Sequence, residues 1–545
     1  MHKKLHYILS LWVLFLLFSC QSPQEKNLKT TFNINLDQNL TSLDPAFARN
    51  QNAIWMINQI FNGLVQVDAK LNVVPAIATN WTISENQLIY TFNLRDDVYF
   101  HDHPIFPNGK GRRVIAGDFA YSFYRLIDPE VASSGGWIFS DKVEGKESFK
   151  ALNDTTFQIT LKKPFPAFLK LLTAQYCSVV PHEIVKHYGK DFRNNPIGTG
   201  PFKFKHWKED EILVLLKNDH YWEFEGATRL PHLDAIKVTF ISDKQSAFMN
   251  FIKKDLDFFY SVDGSYRDDI LTKSGKMTHK YKDAFKLLKG PYLCTEYVGI
   301  LVDPEKKIVA ESPLRHKKIR QAINYAIDRE KLVKYLRNSI GTPAVNGFIP
   351  KGMPGFDSLK VKGYTYQPNL SKKLLAEAGY PNGKGLPSIT LSTSTTYKDL
   401  IEFIQSELAK IGIPVKVDVS PSASLREMMA KNEVLFFRGS WIADYPDGEN
   451  YMSVFYSKNK VPFGPNYTGY YNTEFDKLFE ASYFELDDEK RYALYQKMDN
   501  MILEHASVVP ILYDQVVVML QNNISGFEVN PLSLMILKNV VKNKK

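Results

Sequence analysis

The sequence predicts a mixed α/β fold, because strand patterns dominate its first third and strands alternate with helices after residue 290. Residues 88–94 and 157–161 alternate apolar and polar side chains, as half-buried strands do. Upstream of both segments, Ile54, Ile57 and Ile60 recur at helical spacing. The first region is therefore expected to be an α+β unit with many strands.

The region after residue 290 predicts parallel strands that helices connect. Residues 389–391 and 415–417 have strand composition, and the helical pattern between them stops at Gly412. A strand, helix, strand order implies parallel strands with a right-handed crossover. Residues 434–437 form a continuous apolar run, which is typical of a central parallel strand.

Two further helices are expected in this later region. Ser312 followed by Pro313 is a helix start, and the apolar face of that helix extends to Ile327. The second helix covers residues 370–378 and ends at Gly379, because glycine readily adopts the left-handed conformation that closes a helix.

The first twenty residues have the pattern of a lipoprotein export signal. Lys3 and Lys4 precede an apolar run over residues 7–18, which is too short to span a bilayer, and Cys20 closes the segment. The interpretation is that residues 1–20 are a signal peptide and that Cys20 becomes the lipidated amino terminus. The protein would then be exported and anchored to a membrane, facing the periplasm or the cell exterior. An ordinary signal with a chance cysteine is the alternative.

Composition indicates a folded protein of two or three domains rather than a nucleic-acid binder. The chain has 545 residues, 44% of them hydrophobic and 23% charged. Its formal net charge is +9, but the basic residues are scattered apart from the stretches at 109–113 and 542–545. A nucleic-acid-binding surface requires a concentrated basic stripe. Aromatic residues reach 13%, which suits an amphipathic ligand surface.

Common catalytic motifs are absent from the sequence. It contains no GxSxG, HExxH, GxxxxGK[ST] or GxGxxG segment, which lowers the probability of an enzyme without excluding one. The His101-Asp102-His103 stretch is the one candidate metal cluster, and a solvated turn is the preferred interpretation. No metal or other cofactor is predicted.

Arg438, Trp441 and Asp444 form the candidate binding site, downstream of the apolar run at 434–437. Ligands of open α/β sheets bind beyond the carboxyl ends of strands. A carboxylate can pair with an ammonium group, a guanidinium with a carboxylate, and an indole with an apolar side chain, so the three residues complement a zwitterion. The alternative is a structural salt bridge between Arg438 and Asp444, with Trp441 in the core.

Ordered segments along most of the chain resemble the solute-binding proteins of peptide ABC importers, and oligopeptide-binding proteins in particular. The segments are Ser42-Leu43-Asp44-Pro45, Phe61-Asn62-Gly63-Leu64, residues 90–98 with 116–122, Gly198-Thr199-Gly200-Pro201-Phe202, residues 218–222, Pro291-Tyr292-Leu293-Cys294-Thr295 and residues 320–329.

This resemblance implies a periplasmic-binding-protein-like architecture of two lobes around a cleft, joined by two hinge crossings. Lobe one would comprise residues 21–64, 195–293 and 513–545, with an extra domain at 65–194 inserted into it, and lobe two residues 294–512. The implied protein performs no chemistry. It captures oligopeptides by hinge closure and delivers them to the ABC permease, and it is expected to be a monomer. Nickel complexes or oligosaccharides are alternative cargoes, and a tethered hydrolase is a further alternative.

The resemblance also assigns roles to individual residues. Asp444 matches the aspartate that binds the α-ammonium group of the peptide, Trp441 the tryptophan of the cleft, and Arg438 an arginine used for the peptide carboxylate. Arg49 stands where the family has an acidic residue that helps to hold extended peptides.

The cysteines depart from the pattern of the enteric oligopeptide-binding proteins. Sequence alone leaves Cys177 and Cys294 either joined in one disulfide or present as two buried thiols. The family pairs a cysteine at the position of Cys294 with one directly after the cleft tryptophan, where this chain has Ile442. The family layout separates Cys177 from Cys294, so both are expected to be reduced.

Overall fold

The computed structural model describes residues 29–260 and 262–544. The predicted signal segment and the lipidation residue Cys20 lie outside these described residues. Within the described ranges, none of the helices combines the length and the apolar character needed to cross a bilayer.

Strands and helices are both abundant, so the predicted mixed α/β class is confirmed. The strands are β1 (Thr31–Leu36), β2 (Val65–Val67), β3 (Val73–Pro75), β4 (Ala78–Ile83), β5 (Ile89–Leu94), β6 (Phe149–Asn153), β7 (Thr156–Thr160), β8 (Phe202–Lys208), β9 (Ile212–Lys217), β10 (Phe224–Glu225), β11 (Thr228–Arg229), β12 (Ala235–Phe240), β13 (Phe258–Tyr260), β14 (Lys286–Ile300), β15 (Thr342–Pro343), β16 (Ile389–Thr393), β17 (Val415–Val419), β18 (Phe436–Ile442), β19 (Val508–Leu520), β20 (Ile524–Ser525) and β21 (Val541–Lys542).

The α-helices are α1 (Gln51–Ile60), α2 (Ala116–Ile127), α3 (Phe168–Leu171), α4 (His182–Tyr188), α5 (Lys244–Ile252), α6 (Gly264–Ile270), α7 (Lys307–Ala310), α8 (Lys317–Ala326), α9 (Arg329–Lys331), α10 (Pro368–Glu377), α11 (Lys398–Ala409), α12 (Ser422–Ala430), α13 (Glu449–Met452), α14 (Thr473–Ser482) and α15 (Asp488–His505). Short 3-10 turns include Gly136–Ile138, Gln175–Cys177 and Pro313–Arg315.

The region before residue 241 contains two four-stranded sheets and two short two-stranded sheets, in agreement with the predicted α+β unit with many strands. One four-stranded sheet has the order β1-β12-β9-β8, and the other, β4-β5-β7-β6, is antiparallel throughout. Tyr90 of β5 lies opposite Ile159 of β7, and both are buried because the alternating pattern turns their side chains to the same face. Both four-stranded sheets contribute to one continuous hydrophobic core, which we call the first core.

A larger sheet organises the later region, with the order β13-β19-β14-β18-β16-β17 and β15 paired to β19. The predicted β16-α11-β17 unit is present, and its two strands are parallel. Gly412, after α11, has φ +87°, and Gly379, after α10, has φ +92°, so both predicted stops adopt the left-handed conformation.

The predicted boundaries of the apolar strand and of the helix at Ser312 were wrong. Strand β18 begins at Phe436 and continues through Ile442, because its backbone pairs with β14 over that whole length. Since it is antiparallel to β14 and parallel to β16, β18 is central in a mixed sheet. Ser312 caps the 3-10 turn Pro313–Arg315 through the Leu314 amide, and α8 follows only at Lys317.

Strands β14 and β19 connect the first core with the cores of the later region. Leu288 and Val518 pack in or against the first core, whereas Val298 and Val509 lie in a second core around α8, α10 and α11. A third core surrounds β18, α13, α14 and α15. The pairing of β14 with β19 is irregular over the short segment between these cores, where its register shifts after Pro291 and again after Glu296.

Candidate functional site

Asp444 follows the end of β18 and borders a small cavity. The cavity has a volume of about 130 Å³ and is lined by residues from five parts of the chain. These residues are Gln51, Ile54, Trp137, Thr173, Ala174, Gln175, Tyr176, Ile442, Ala443, Asp444, Leu532 and Leu534. The cavity therefore lies where the segment after β18 meets α1, the 3-10 turns at 136–138 and 175–177, and the segment at 532–534.

The Asp444 carboxylate has no cationic partner among the described residues. Asn450 donates its Nδ2 hydrogen to Asp444 Oδ2 at 3.3 Å, and the Asp444 amide donates to Asn450 Oδ1 at 3.4 Å. The side chain is open to the cavity, but the surrounding protein partly desolvates it and raises the pKa of Asp444, against the hydrogen bond from Asn450. A carboxylate in this position gains stability when a cation reaches it.

Trp441 is connected to Asp444 through Asn450. The indole Nε1 donates to Asn450 Oδ1 at 2.9 Å, so one buried amide side chain orients both candidate residues. Trp441 is half-buried and packs against the third core, and it is not among the residues lining the cavity. Sequence reasoning missed Asn450, because an asparagine in the first turn of a short helix is an ordinary residue for a helix start.

Arg438 lies apart from this pair, within β18 rather than beyond its end. Its guanidinium forms an ion pair with Glu296 of β14, and its Cζ lies 3.1 Å from the ring centroid of Tyr397. Burial would lower the pKa of Arg438, but the charge of Glu296 outweighs it and the pKa is raised. The structural alternative of an Arg438–Asp444 salt bridge was therefore wrong, although Arg438 does take part in an ion pair with another acid.

The segment after Asp444 makes contacts with the region before residue 194. Lys170 Nζ lies 2.8 Å from Asp447 Oδ2, and Arg491 Nη2 lies 3.5 Å from the same oxygen. Tyr445 belongs to the first core and packs edge-on against Phe165, with the ring centroids 6.3 Å apart. Asp444 is thus held close to a junction of two parts of the fold.

The His101-Asp102-His103 stretch does not assemble a metal site. His101 is buried with Nε2 3.0 Å from the Gly200 carbonyl, His103 Nε2 lies 3.1 Å from the Tyr188 hydroxyl, and Asp102 pairs with Lys110. The expectation of a solvated turn was wrong for His101, which is 3% exposed. Burial lowers the pKa of His101 to about 4.

Cys177 and Cys294 are both free and buried, in agreement with the prediction of reduced thiols. Cys294 of β14 lies directly opposite Ile442 of β18 in the strand register. The position at which the resemblance places a second cysteine is therefore adjacent to Cys294, and isoleucine occupies it. Burial raises the pKa of both thiols, which makes them poor nucleophiles.

The chain is similar along most of its length to curated solute-binding proteins. It is 27% identical over 534 residues to the dipeptide-binding protein DppE of Bacillus subtilis, covering 94% of this chain and 91% of that protein. It is 25% identical over 504 residues to the glutathione-binding protein GsiB of Escherichia coli, and the match covers 91% of this chain and 92% of that protein.

A solved structure and a family model agree with these relatives. The periplasmic binding protein DppA of Helicobacter pylori, in complex with the peptide STSA, superposes with a TM-score of 0.76 at 26% identity, covering 94% of this chain and 98% of that one. The family model described as bacterial extracellular solute-binding proteins, family 5 Middle, matches residues 72–463. The chain therefore belongs to the bacterial extracellular solute-binding proteins of family 5, which are binding proteins and not enzymes.

Proposed function

We propose that this protein is the lipid-anchored receptor of a peptide ABC importer and that Asp444 binds the α-ammonium group of its ligand. The observation that carries the proposal is a partly desolvated carboxylate without a cationic partner in the described chain, facing a cavity between several parts of the fold. Relatives named for dipeptide and glutathione binding support a peptide cargo, as does the solved structure that holds STSA.

The charge of Asp444 suits an ammonium group better than a neutral ligand. Desolvation raises the pKa of Asp444, so the free protein holds its carboxylate in an unfavourable environment. An ammonium group at Asp444 would lower this pKa and offset the cost of desolvation. Affinity should accordingly fall with acidification at a higher pH than for an ordinary aspartate, because protonated Asp444 loses its charge.

Hinge closure between the two lobes would bury the ligand in the cleft. The irregular pairing of β14 with β19 after Pro291 supports hinge crossings close to residues 293 and 513. In this proposal lobe one comprises 21–64, 195–293 and 513–545 with the extra domain 65–194, and lobe two comprises 294–512. A ligand that binds the closed arrangement more tightly shifts the population toward it.

The proposed receptor also has a lipid anchor at Cys20 and an ABC permease as its partner. Acylation of Cys20 would hold the protein at a membrane, since each buried methylene contributes roughly 0.8 kcal/mol. The receptor would act as a monomer that delivers peptides to the permease subunits in the cytoplasmic membrane.

Mass spectrometry of ligand released by denaturing protein purified from its host tests the cargo. The proposal expects short peptides with free amino termini. Recovery of a metal chelate or an oligosaccharide, together with no heat of binding for any short peptide, would reject the peptide assignment and leave only the family.

A further inference from the structure

Most of the side chains that line the cavity beside Asp444 are apolar. Ile442 is 47% exposed and Trp137 is 39% exposed, although both are large hydrophobic side chains. They come from different parts of the chain and line the same space, together with Leu532 and Leu534. Large apolar side chains that remain accessible around one concave space indicate a binding surface for an apolar group.

The polar side chains at this cavity already have partners within the protein. Gln51 Nε2 donates to the Ser533 carbonyl at 2.8 Å, and Thr173 Oγ1 donates to the Lys170 carbonyl at 2.7 Å. Gln175 Nε2 donates to Asn58 Oδ1 at 3.3 Å. These donors are therefore engaged, and among the described residues that line the space only Asp444 is charged.

The volume of the cavity limits the size of the ligand side chain that can bind in it. An enclosed apolar cavity of roughly 150 Å³ holds one benzene molecule. The cavity beside Asp444 has a volume of about 130 Å³ and is partly open to solvent, so it accommodates one side chain of valine or leucine size more readily than an indole.

The single carboxylate of Asp444 further restricts which ligand side chains bind in the cavity. A lysine or arginine side chain would add a second cation where one carboxylate is available, and a glutamate would lie beside Asp444 as a like charge. Each would bury a charge without a partner, which costs more than an apolar side chain of equal size.

We propose that this cavity selects peptides by their first residue, favouring aliphatic side chains of alanine to leucine size over charged residues and tryptophan. The inference rests on the proposed function, because it takes the ammonium group at Asp444 as the anchor of that first residue. It adds a specificity for one end of the peptide and leaves the remaining residues unrestricted.

Calorimetry with the tripeptides X-Ala-Ala, in which X is Leu, Gly, Lys, Glu or Trp, tests the inference. Burial of a leucine side chain predicts binding roughly tenfold to a hundredfold tighter for Leu than for Gly, with Lys, Glu and Trp weaker than Leu. Binding of all five within threefold, or tightest binding of Lys, Glu or Trp, would overturn the selectivity while leaving peptide capture intact. No binding of any peptide would instead reject the proposed function.

Two variants and a control connect the selectivity to this cavity. Ile442→Glu should reverse the order of the Leu and Lys peptides, because it supplies a second carboxylate at an already exposed position. Ile442→Ala should reduce the advantage of Leu over Gly and improve binding of Trp. Leu359→Ala, at a side chain 81% exposed outside the cavity, should change none of these ratios. Unchanged ratios in both Ile442 variants would show that the first residue binds elsewhere.

Discussion

Lys170 and Asp447 form an ion pair that joins two distant parts of the chain. Lys170 Nζ lies 2.8 Å from Asp447 Oδ2, although 277 residues separate the two in sequence. The Asp447 side chain is fully buried. Because Asp447 lies three residues after Asp444, this contact fixes the segment that carries the candidate ligand residue against the region before residue 194.

Lys170→Met should weaken the closed arrangement. Breaking a buried ion pair costs roughly 3 to 5 kcal/mol, but the Lys170 side chain is partly exposed and Arg491 stays beside Asp447, so a loss of about tenfold in peptide affinity is expected. Calorimetry measures the affinity, and small-angle scattering should detect an expanded ligand-free protein. Lys497→Met removes an exposed pair with Glu474 and is the matched control. Identical affinity and scattering in Lys170→Met would show that the pair does not stabilise closure.

His101 should reduce stability at acidic pH. Burial lowers the pKa of His101 to about 4 from an ordinary value of 6.5. Below pH 6.5 the imidazole of His101 binds a proton in the unfolded chain, whereas in the folded protein it stays neutral until the pH approaches 4. The free energy of unfolding therefore falls as the pH decreases toward 4. The whole shift corresponds to roughly 3 kcal/mol.

Urea denaturation at about pH 7 and about pH 4.5 measures this effect. His101→Gln retains a donor for the Gly200 carbonyl and should lose roughly 2 to 3 kcal/mol less than the wild type over this interval. His220→Gln, at an exposed histidine, is the control. If the free energy of unfolding changes equally with pH in the wild type and in His101→Gln, the prediction is contradicted.

Arg438 should be important for folding through its pair with Glu296. Arg438→Met leaves a buried carboxylate without this partner, and roughly 3 to 5 kcal/mol of stability should be lost. Adding Glu296→Gln should restore most of it, as denaturant titration can show. If Arg438 also binds the peptide carboxylate, amidating the peptide must weaken its binding to wild type. Equal affinity for free and amidated peptides would limit Arg438 to its structural role.

Cys20→Ser tests the anchor. The wild type should partition into the detergent phase, and the variant should remain in the aqueous phase or stay unprocessed, because serine cannot form the thioether that attaches the lipid. Detergent partitioning of a processed Cys20→Ser protein would disprove lipidation at this residue.

Local patterns predicted the elements of the fold because burial repeats along a strand or helix. Strands β5 and β7 and the β16-α11-β17 unit follow directly from the period of apolar residues. The end of β18 was misplaced because Arg438 and Gly439 interrupt the apolar run, whereas the backbone continues to pair with β14. Backbone pairing depends on a partner strand that the period of one segment does not reveal.

The candidate site was predicted only in part. Asp444 and Trp441 could be selected from residue chemistry and family resemblance, and Asn450 brings them together in the structure. The partner of Arg438 could not be predicted, because Glu296 lies 142 residues away in sequence and nothing local distinguishes it from other glutamates. The cavity is assembled from five separate segments, so its apolar character is invisible until the chain is folded.

The most direct test compares a free peptide with its N-acetylated form on wild type and on Asp444→Ala, by calorimetry. Removing one partner of a buried charged pair costs roughly 3 to 5 kcal/mol, so the free peptide should bind the variant two to three orders of magnitude more weakly. The acetylated peptide, which has no ammonium group, should bind wild type poorly and lose little more in the variant. Equal losses for both peptides, with a sharply lowered melting temperature, would show that Asp444 serves the fold and not the ligand.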